Sequence, residues 1–517
     1  MMEHQFAHVI TQKQSLAYHA DPLSLYQHVT ANAPHTMLLE SAEIDTKDHL
    51  KSIVLTHAAM MVRCDGYQLT FAALTDNGAS LLSPISEFFK SSQQQQQDNE
   101  LIITLAKACE LQDEDARLKS TSPLDGLRML IQYIQTDQQD AFEDLFLGGV
   151  LAYDLIDTVE PLPAVPNADN DCPDYLFYLA ETLILIDHQQ QDAEIITHQF
   201  SQDPLLADTL AKHAAKVKQQ CQTLAPVADL VPVDAETQVN ISDATFKQTV
   251  VDLKEHIVAG DIFQVVPSRS FSLPCPNTLG AYRALRLTNP SPYMFYFRGP
   301  DFTLFGASPE SALKYDAASN QVEVYPIAGT RKRGKTADGD IDFDLDSRIE
   351  LELRLDKKEL SEHLMLVDLA RNDIARISQS GSRKVAELLK VDRYSHVMHL
   401  VSRVTGQLRD DLDALHAYQA CMNMGTLVGA PKVRASQLVR QAEQARRGSY
   451  GGAVGYLNGL GDMDTCIVIR SAFVKNDVAF IQAGAGVVFD SDPQAEADET
   501  RQKAQAVISA IKMGGGL

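Results

Sequence analysis

The second half of the chain carries a series of short apolar, strand-like segments separated only by turn residues. DTCIVIRSAFVKND runs directly into VAFIQAGAGVVF through Asn476–Asp477, and SYGGAVGYLNG ends at a second turn, Gly459–Leu460–Gly461. A turn of two or three residues joins antiparallel neighbours, because a parallel connection needs a crossover of about a dozen residues or more. Helical patterns lie between these segments. The chain is therefore expected to adopt an α+β fold with large antiparallel β-sheets and helices packed outside.

The first half of the chain mixes strand-like and helical patterns. Residues 52–74 alternate like two strands with a turn at Asp65–Gly66, and residues 125–135 have the apolar spacing of a helix. The glutamine-rich residues 91–100 predict a surface loop or a flexible connection, because the stretch is polar and of low complexity. The proline-rich residues 161–174 predict a further loop.

A change of character near residue 222 divides the chain. Residues 222–243 contain few helix formers and are interpreted as a linker. A helix is expected to begin at a cap on Ser242 or Asp243 and to stop at Gly260–Asp261. This gives an N-terminal region, residues 1–221, and a C-terminal region, residues 244–517.

Composition excludes several classes of partner. The formal net charge of −24 and the pI of about 5.0 disfavour nucleic acid and anionic membranes, which are also negatively charged. No apolar run approaches the ~20 residues of a membrane span, and the N-terminus lacks the pattern of a secretory signal. The seven cysteines are scattered without a CxxC pair, which argues against a disulfide framework or a zinc cluster. We expect a cytoplasmic protein with reduced cysteines.

Two helical segments carry the same acidic pattern. Glu359 and Glu362 in ELSE, and Glu496 and Glu499 in EADE, are each three residues apart, so each pair lies on one helical face. Like charges at this spacing are unfavourable unless a cation lies between them, and Mg²⁺ prefers such oxygen ligands. The spacing alone leaves a magnesium site and an ordinary exposed face both open.

Small residues mark two places where backbone could approach a ligand. QAGAGVVF, residues 482–489, has β-branched residues where a dinucleotide fingerprint needs a helix, so it indicates either an anion contact or a strand irregularity. Gly329–Thr330 lies beside the basic residues of PIAGTRKRGK, and is either a carboxylate contact or part of a solvated loop.

Each of three single residues allows two interpretations. His399 in YSHVMHLVSRV is either a general acid–base or a packed imidazole. Arg470 lies within the apolar CIVIRSAF, where an inward guanidinium needs an anion. Tyr450 precedes Gly451–Gly452 and is structural unless it lines a pocket.

The order of motifs resembles that of the chorismate-utilising enzymes over roughly residues 245–510. LLESAEI (38–44) and NPSPYMFYF (289–297) resemble the tryptophan-feedback signatures of the anthranilate synthase component I branch of that family, so the resemblance spans essentially the whole chain. The motifs of the first region are GDIFQVVPSR, GASPES, PIAGT, ELSEHLMLVDLARND, HVMHLVSRVTG, GAPKVRA, SYGGAVGY, IVIRSA and QAGAGVVFDSDPQAEADET.

The resemblance implies a fold, a cofactor and a reaction. It implies that the antiparallel sheets form a sandwich, that Mg²⁺ is required and that chorismate is the substrate. Members that add water carry a lysine base where this chain has Gln264, and aminodeoxychorismate synthases carry a nucleophilic lysine where it has Ala328. Both replacements favour ammonia adding at C2 followed by loss of pyruvate, over the isochorismate, salicylate and aminodeoxychorismate reactions. A non-catalytic tryptophan sensor is the alternative of a different class.

The resemblance also implies a role for each site residue. Glu362 and Glu499 are expected as direct Mg²⁺ ligands, with Glu359 and Glu496 acting through water. Glu310 is expected to protonate the departing C4 hydroxyl, His399 to serve the elimination, and Tyr450 and Arg470 to hold the enolpyruvyl carboxylate. Gln264 is expected as a third catalytic residue, at the position of the lysine base. Further substrate contacts are expected from Gly329, Thr330, Gly484, Ala485, Gly486 and Lys503.

The N-terminal region is expected to contribute to feedback and to partner contacts. Tryptophan inhibition is expected to act through Glu40, Ser41, Lys51, Pro292, Tyr293 and Met294. None of the cysteines lies in the GxCxGxQ setting of a glutamine amidotransferase, so a separate subunit is expected to supply ammonia. The resemblance implies a heterotetramer of two large and two small subunits.

Overall fold

The computed structural model describes residues 7–41, 50–107, 113–136, 144–222, 224, 229–336, 338–394 and 397–517. The elements of the first part of the chain are β1 (Ala7–Leu16), α1 (Pro22–Thr30), β2 (Thr36–Glu40), β3 (Lys51–Asp65), β4 (Gln68–Ala73), α2 (Asp76–Ala79), α3 (Leu82–Phe88), β5 (Gln93–Gln97), β6 (Glu100–Thr104), α4 (Glu114–Leu118), α5 (Asp125–Tyr133), β7 (Ile134–Thr136), β8 (Phe146–Leu151), β9 (Tyr175–Asp187), β10 (Asp192–Gln199) and α6 (Pro204–Cys221).

The remaining elements are β11 (Gln238–Val239), α7 (Asp243–Val258), β12 (Gln264–Val265), β13 (Ser268–Pro274), α8 (Thr278–Thr288), β14 (Tyr293–Arg298), β15 (Thr303–Ser308), β16 (Ser311–Asp316), β17 (Gln321–Val324), β18 (Ile327–Lys332), α9 (Phe343–Leu355), α10 (Lys357–Ile377), β19 (Lys384–Arg393), β20 (Val397–Gln407), α11 (Ala414–Cys421), α12 (Gly425–Val428), β21 (Gly429–Ala430), α13 (Lys432–Glu443), β22 (Ala453–Asn458), β23 (Met463–Ile467), β24 (Ser471–Lys475), β25 (Val478–Gly484) and α14 (Pro493–Gly514).

Two long strands, β3 and β9, pair antiparallel along their length and pass from one sheet to the other. Their register shifts repeatedly between Leu55 and Met60, which marks a bulged bend. Before the bend β3 also pairs with β2, and after it β3 pairs with β4 instead. The bend therefore turns one hydrogen-bonded ladder into two arms, as at the corners of packed sheets.

The first arm continues from β2 through β14, β15, β24, β25 and β13 to β11, and from β9 through β10 to β1. The second arm runs from β4 through β6 to β5, and from β9 through β8, β22, β23, β16 and β17 to β20. β18 and β19 lie on the two sides of β20. Almost every pairing is antiparallel, and β1 with β7 is parallel.

The two arms pack face to face over an apolar interior. Phe295 and Phe297 from the first arm meet Val150, Tyr178 and other side chains from the second in one buried cluster. The rings of Tyr178 and Phe297 stack with their centroids 5.0 Å apart. Helices α1, α6, α8 and α14 cover the outside of the first arm, and α3, α5, α10 and α11 cover the outside of the second. The expected sandwich with outer helices is thus confirmed.

Local expectations from the sequence are met at several points. The turn at Asp65–Gly66 joins β3 to β4, and the side chain of Ser242 caps α7 by accepting a hydrogen bond from the Thr245 amide. Gly260 adopts a φ of 82°, which ends that helix in the left-handed region. Within the described ranges, no helix is both long and apolar enough to cross a membrane.

One local expectation is wrong. The glutamine run is not a loop, because residues 93–97 form strand β5, which pairs with β6 at an edge of the sheet. Backbone pairing with an apolar neighbour strand overrides the polar composition. Elsewhere, α9 and α10 are separate helices, because Asp356 takes an extended conformation and caps α10 through the amides of Lys358 and Glu359.

Candidate active site

The two acidic sequences lie in the first two turns of α10 and α14. Asp356 caps α10 and Asp492 caps α14, the latter by accepting a hydrogen bond from the Ala495 amide. Asp492 is thus a capping acid, as a residue of its type at this position should be. α10 packs on the second arm of the sandwich and α14 on the first, so closure of the sandwich sets the two helix starts against each other.

The carboxylates of the two helices repel one another electrostatically. The pKa of Glu362 is raised to about 7, first by burial and then by Glu359, Glu496 and Glu499, although Lys358 opposes the shift. Burial, with Glu499 contributing, also raises the pKa of Glu496. Oε1 of Glu362 and Oε2 of Glu496 are buried without a hydrogen-bond partner. A group of buried oxygens that repel each other is one that a divalent cation would stabilise.

The other two carboxylates already contact cations. Arg331 donates to Oε1 of Glu359 at 2.8 Å, and Lys503 lies 2.7 Å from Oε1 of Glu499. In the described part of the chain, no three His, Cys, Asp or Glu side chains are arranged to hold a metal ion. The residues fit a cation by chemistry and position, and the unpartnered oxygens belong to Glu362 and Glu496.

Glu310 is a buried carboxyl at the turn between β15 and β16. It is 7% exposed, and its Oε1 accepts a hydrogen bond of 3.0 Å from Oγ1 of Thr426. Burial raises its pKa to about 8, with Thr426 and Lys503 opposing the shift. The group therefore keeps its proton near neutral pH and can act as an acid. Thr426 was missed by the sequence analysis, where only its place within the glycine-flanked GTLVG distinguishes it.

His399 lies on β20 directly opposite Thr330 of β18. Its Nδ1 and Oγ1 of Thr330 share a hydrogen bond of 2.9 Å. Burial, followed by the nearby Arg470, lowers its pKa to about 4, so the imidazole is neutral at pH 7. A neutral imidazole can accept a proton, and its contact with Thr330 fixes the ring.

The backbone conformation at position 329, next to Thr330, requires glycine. Its φ is 85°, and a Cβ there would lie 3.3 Å from Oε2 of Glu359 and 3.2 Å from the Leu353 and Leu400 side chains. The positive φ favours glycine, and the close approach brings this strand against the acidic start of α10.

The basic side of the site contains Arg470, Tyr450 and Lys503. Arg470 has a φ of 51° and donates from Nη1 to the Lys503 carbonyl at 2.7 Å. Among the described residues, no carboxylate lies within 4.0 Å of its guanidinium, and burial lowers its pKa. Lys503 donates to the Gly484 carbonyl at 3.0 Å, and a Cβ on Gly484 would lie 3.1 Å from the Tyr450 hydroxyl. The Arg470 guanidinium is therefore the cation of this group that lacks a carboxylate partner.

Gln264 closes the site from the strand pair β12–β21. Its side chain is 6% exposed, and its Oε1 is buried without a hydrogen-bond partner. A Cβ on Gly486 would lie 2.8 Å from Gln264 Nε2, so glycine leaves room for the amide. The Ala485 N–H donates to the Pro267 carbonyl at 3.1 Å.

Strand pairing assembles part of the predicted feedback site. Glu40 pairs with Met294 of β14 and with Ser52 of β3, and the Ser41 amide donates to the Lys51 carbonyl at 3.4 Å. Glu40 is buried, and burial raises its pKa. Two residues without a sequence signal hold it: the Tyr282 hydroxyl donates to Oε1 at 2.7 Å, and Arg286 lies 3.0 Å from Oε2.

The Tyr293 and Met294 side chains point to opposite faces of β14. Met294 packs into the cluster beneath the outer helices, whereas the neighbouring Tyr293 packs against the sandwich interior. Side chains alternate between the faces of a strand, so at most one of these two side chains faces a given ligand, and the other can contribute only its backbone. Pro292 immediately precedes β14 and contributes backbone rigidity at its start.

Comparison with known proteins identifies the family. The chorismate binding enzyme family matches residues 86–509. The chain is 59% identical to anthranilate synthase component 1 of Vibrio cholerae over 96% of this chain and 95% of the relative. It is 54% identical to that of Escherichia coli over 96% and 95%.

The fold comparison agrees with the sequence comparison. The structure of anthranilate synthase component I from Streptococcus pneumoniae superposes with a TM-score of 0.69, at 30% identity, over 90% of this chain and 93% of that one. The menaquinone-specific isochorismate synthase of Escherichia coli, 17% identical, shares the fold with a TM-score of 0.67 over 98% and 95%. The chain therefore belongs to the chorismate binding enzyme family, among the anthranilate synthase component 1 proteins.

Proposed function

We propose that this chain catalyses the Mg²⁺-dependent amination of chorismate at C2 by ammonia with loss of the C4 hydroxyl, and then eliminates pyruvate to give anthranilate. This reaction is the first committed step of tryptophan biosynthesis. The observation that carries the proposal is the side chain at position 264, a buried glutamine with an unpartnered amide oxygen in the site. An amide cannot take a proton from water near neutral pH, but its oxygen can accept a hydrogen bond from neutral ammonia.

Glu310 and His399 supply the two proton-transfer roles. Glu310 is protonated near neutral pH and buried, so it can give a proton to a hydroxyl leaving from C4. His399 is neutral, so it can take the proton lost from C2 as pyruvate departs. Thr426 contacts Glu310 and Thr330 contacts His399, so different threonines position the proton donor and the proton acceptor.

Arg470 and Tyr450 orient the substrate. Arg470 has no carboxylate partner in the described residues, so a carboxylate of chorismate would complete its environment. Tyr450 is 5% exposed and lies beside Gly484, where its hydroxyl can donate to the same group. Gly329 and Thr330 line the opposite wall beside Glu359.

Glu362 and Glu499 would hold Mg²⁺ directly, with Glu359 and Glu496 nearby and acting through water. When bound, the ion would supply positive charge to a substrate carboxylate and offset the repulsion among these side chains. Lys503 contacts Glu499 at 2.7 Å and Arg331 contacts Glu359 at 2.8 Å, so both carboxylates lie beside a cation.

The reaction is tested by mixing the purified chain with chorismate, Mg²⁺ and an ammonium salt. We expect anthranilate fluorescence to appear with an equimolar amount of pyruvate. Accumulation of aminodeoxychorismate or isochorismate without anthranilate would instead identify a sister enzyme of the family. Tryptophan binding without any turnover would identify a sensor.

The pH dependence of turnover tests Glu310. Because its pKa is raised to about 8, the acid form is complete below that pH and is lost as the pH rises through it. At a constant concentration of un-ionised ammonia, we expect kcat/KM for chorismate to fall above pH 8. Glu310→Gln should lower kcat at least ~100-fold and abolish this decline. An alkaline limb retained in that variant would contradict the assignment.

Metal removal tests the acidic helices. EDTA should abolish turnover and added Mg²⁺ should restore it. Glu362→Gln and Glu499→Gln should each lower kcat at least ~100-fold at low Mg²⁺, with partial recovery as Mg²⁺ is raised. Asp498→Asn is the matched control, because Asp498 is a half-exposed neighbour on the same helix that contacts Arg501. Equal losses in all three variants would refute a metal role specific to the two glutamates.

We further propose that tryptophan inhibits the enzyme at the pocket around Glu40. The ligand's ammonium would face Glu40, which is buried beside Arg286 and Tyr282. Lys51 and Met294 lie on β3 and β14, which pair with β2 there, and Ser41 directly follows β2.

Glu40→Gln should raise the tryptophan concentration for half-inhibition at least tenfold, with ammonium-driven kcat within threefold of the wild type. Asp21→Asn is the control, because it also removes a carboxylate from Arg286 but lies outside the pocket. Unaltered inhibition in Glu40→Gln, measured in the same fluorescence assay, would place the inhibitor elsewhere.

A further inference from the structure

Arg447 is one of the largest fully buried side chains in the described part of the chain, and it lies in the loop between α13 and β22. Its Nε donates to Oε2 of Glu443 at 2.9 Å, and its Nη2 donates to Oε1 of the same carboxylate at 2.6 Å. This two-point contact fixes the plane of the guanidinium. Burial disfavours the charge, but Glu443 holds the pKa of Arg447 above its usual value, so the group is a permanent cation.

The other hydrogen bonds of this guanidinium go to the backbone of two elements that build the site. Nη1 donates to the Leu427 carbonyl at 2.8 Å, and Nη2 also donates to the Val266 carbonyl at 2.6 Å. Leu427 follows Thr426 in α12, and Val266 directly follows β12, two residues after Gln264. One side chain therefore joins the strand that carries the buried glutamine to the helix whose threonine contacts Glu310.

The guanidinium also lies against two tyrosine rings. The centroid of the Tyr153 ring is 4.7 Å from its central carbon, and that of Tyr450 is 5.5 Å from it. A guanidinium over the face of an aromatic ring is attracted to the ring and limits its movement. Burial raises the pKa of Tyr450 to about 12, so its hydroxyl stays protonated and can donate to a ligand. Tyr450 is thus a third site element in contact with Arg447.

Glu443 extends these contacts to the strand that carries Gly484. Its Oε1 accepts hydrogen bonds from the amide and the hydroxyl of Ser268, each at 2.7 Å. Ser268 pairs with Gly484 in the β13–β25 ladder, and its hydroxyl accepts a hydrogen bond of 2.8 Å from Nε2 of Gln482. The Glu443–Arg447 pair therefore meets every segment on this side of the site.

We propose that Arg447 is a positioning residue for the reaction, which holds the Gln264 strand, Thr426 and the Tyr450 ring in one arrangement without touching chorismate. Its four hydrogen bonds all go to groups of the protein. Arg470 therefore remains the guanidinium for a substrate carboxylate. The inference rests on the proposed function, because these elements have their assigned tasks only in that reaction.

The first test replaces Arg447 by lysine, which keeps the positive charge but lacks the planar fork that reaches several acceptors at once. With ammonium at a constant concentration of un-ionised ammonia, Arg447→Lys should raise the KM for chorismate at least tenfold, because the Tyr450 ring is released. The alkaline limb of kcat/KM should also move to higher pH. Thr426 opposes the rise in the pKa of Glu310, and it would no longer be held in place.

Arg440→Lys is the matched control for the loss of a buried arginine. Arg440 is 3% exposed and pairs with Asp154 and Asp157 instead of the site elements. Its KM for chorismate and its alkaline limb should match those of the wild type. Equal changes in both variants would refute a role specific to Arg447.

A second test asks whether Arg447 acts on Glu310 through Thr426. Thr426→Val removes the hydroxyl directly and should move the alkaline limb in the same direction as Arg447→Lys. The double variant should have the limb of Thr426→Val alone, because residues that act through one contact are not additive. Displacements of the limb that add in the double variant would contradict this route.

A merely structural role gives a different result. Loss of folded enzyme would lower kcat and leave both KM and the alkaline limb unchanged, and that result in Arg447→Lys would overturn the proposal. If Arg447→Lys does not fold, Glu443→Gln takes its place, since it keeps the guanidinium and weakens its anchor. It should show the same two changes at smaller size, and their absence would also overturn the proposal. Failure of the wild-type chain to make anthranilate from ammonium would instead overturn the proposed function.

Discussion

The passage of β3 and β9 from one sheet to the other is the constraint on which the rest of the structure depends. Because these strands bend at a series of register shifts, one ladder becomes two packed arms with helices outside each. α10 covers one arm and α14 the other. The meeting of their acidic first turns is therefore a consequence of how the sandwich closes, although the helices are more than a hundred residues apart.

That meeting places like charges together in a partly buried setting. Raising the pKa of Glu362 from 4.5 to about 7 corresponds to about 3 kcal/mol against ionising this carboxyl. Lys358, Arg331 and Lys503 lie around the cluster and reduce the repulsion without removing it. The site thus stores an unfavourable interaction that a bound cation would relieve, as sites built for ions commonly do. Arg470 is its counterpart, a buried cation with no carboxylate of the described residues within 4.0 Å.

Much of the local structure could be predicted from sequence because its causes are local. The caps at Ser242 and Asp492, the turn at Asp65–Gly66 and the helical spacing of the glutamates depend on residues within one or two turns. Three features were not predicted from sequence: the glutamine strand β5, the break at Asp356, and the opposite faces of Tyr293 and Met294. Each depends on a neighbour strand, a cap in competition with helix propensity, or the side of a sheet that happens to be buried.

Sequence by itself determined the antiparallel α+β class, the acidic pairs and the motif order that resembles the chorismate-utilising enzymes, since spacing and residue type are sufficient for these. Only the tertiary structure decided that Glu310 is protonated near neutral pH, that His399 is neutral, and that Thr426 holds Glu310. It also decided that Tyr282 and Arg286 hold Glu40, and that the buried Arg447 joins the end of β12 to α12. The physical reason is that burial and long-range contact set the charge of a side chain, and neither is a property of its neighbours in sequence.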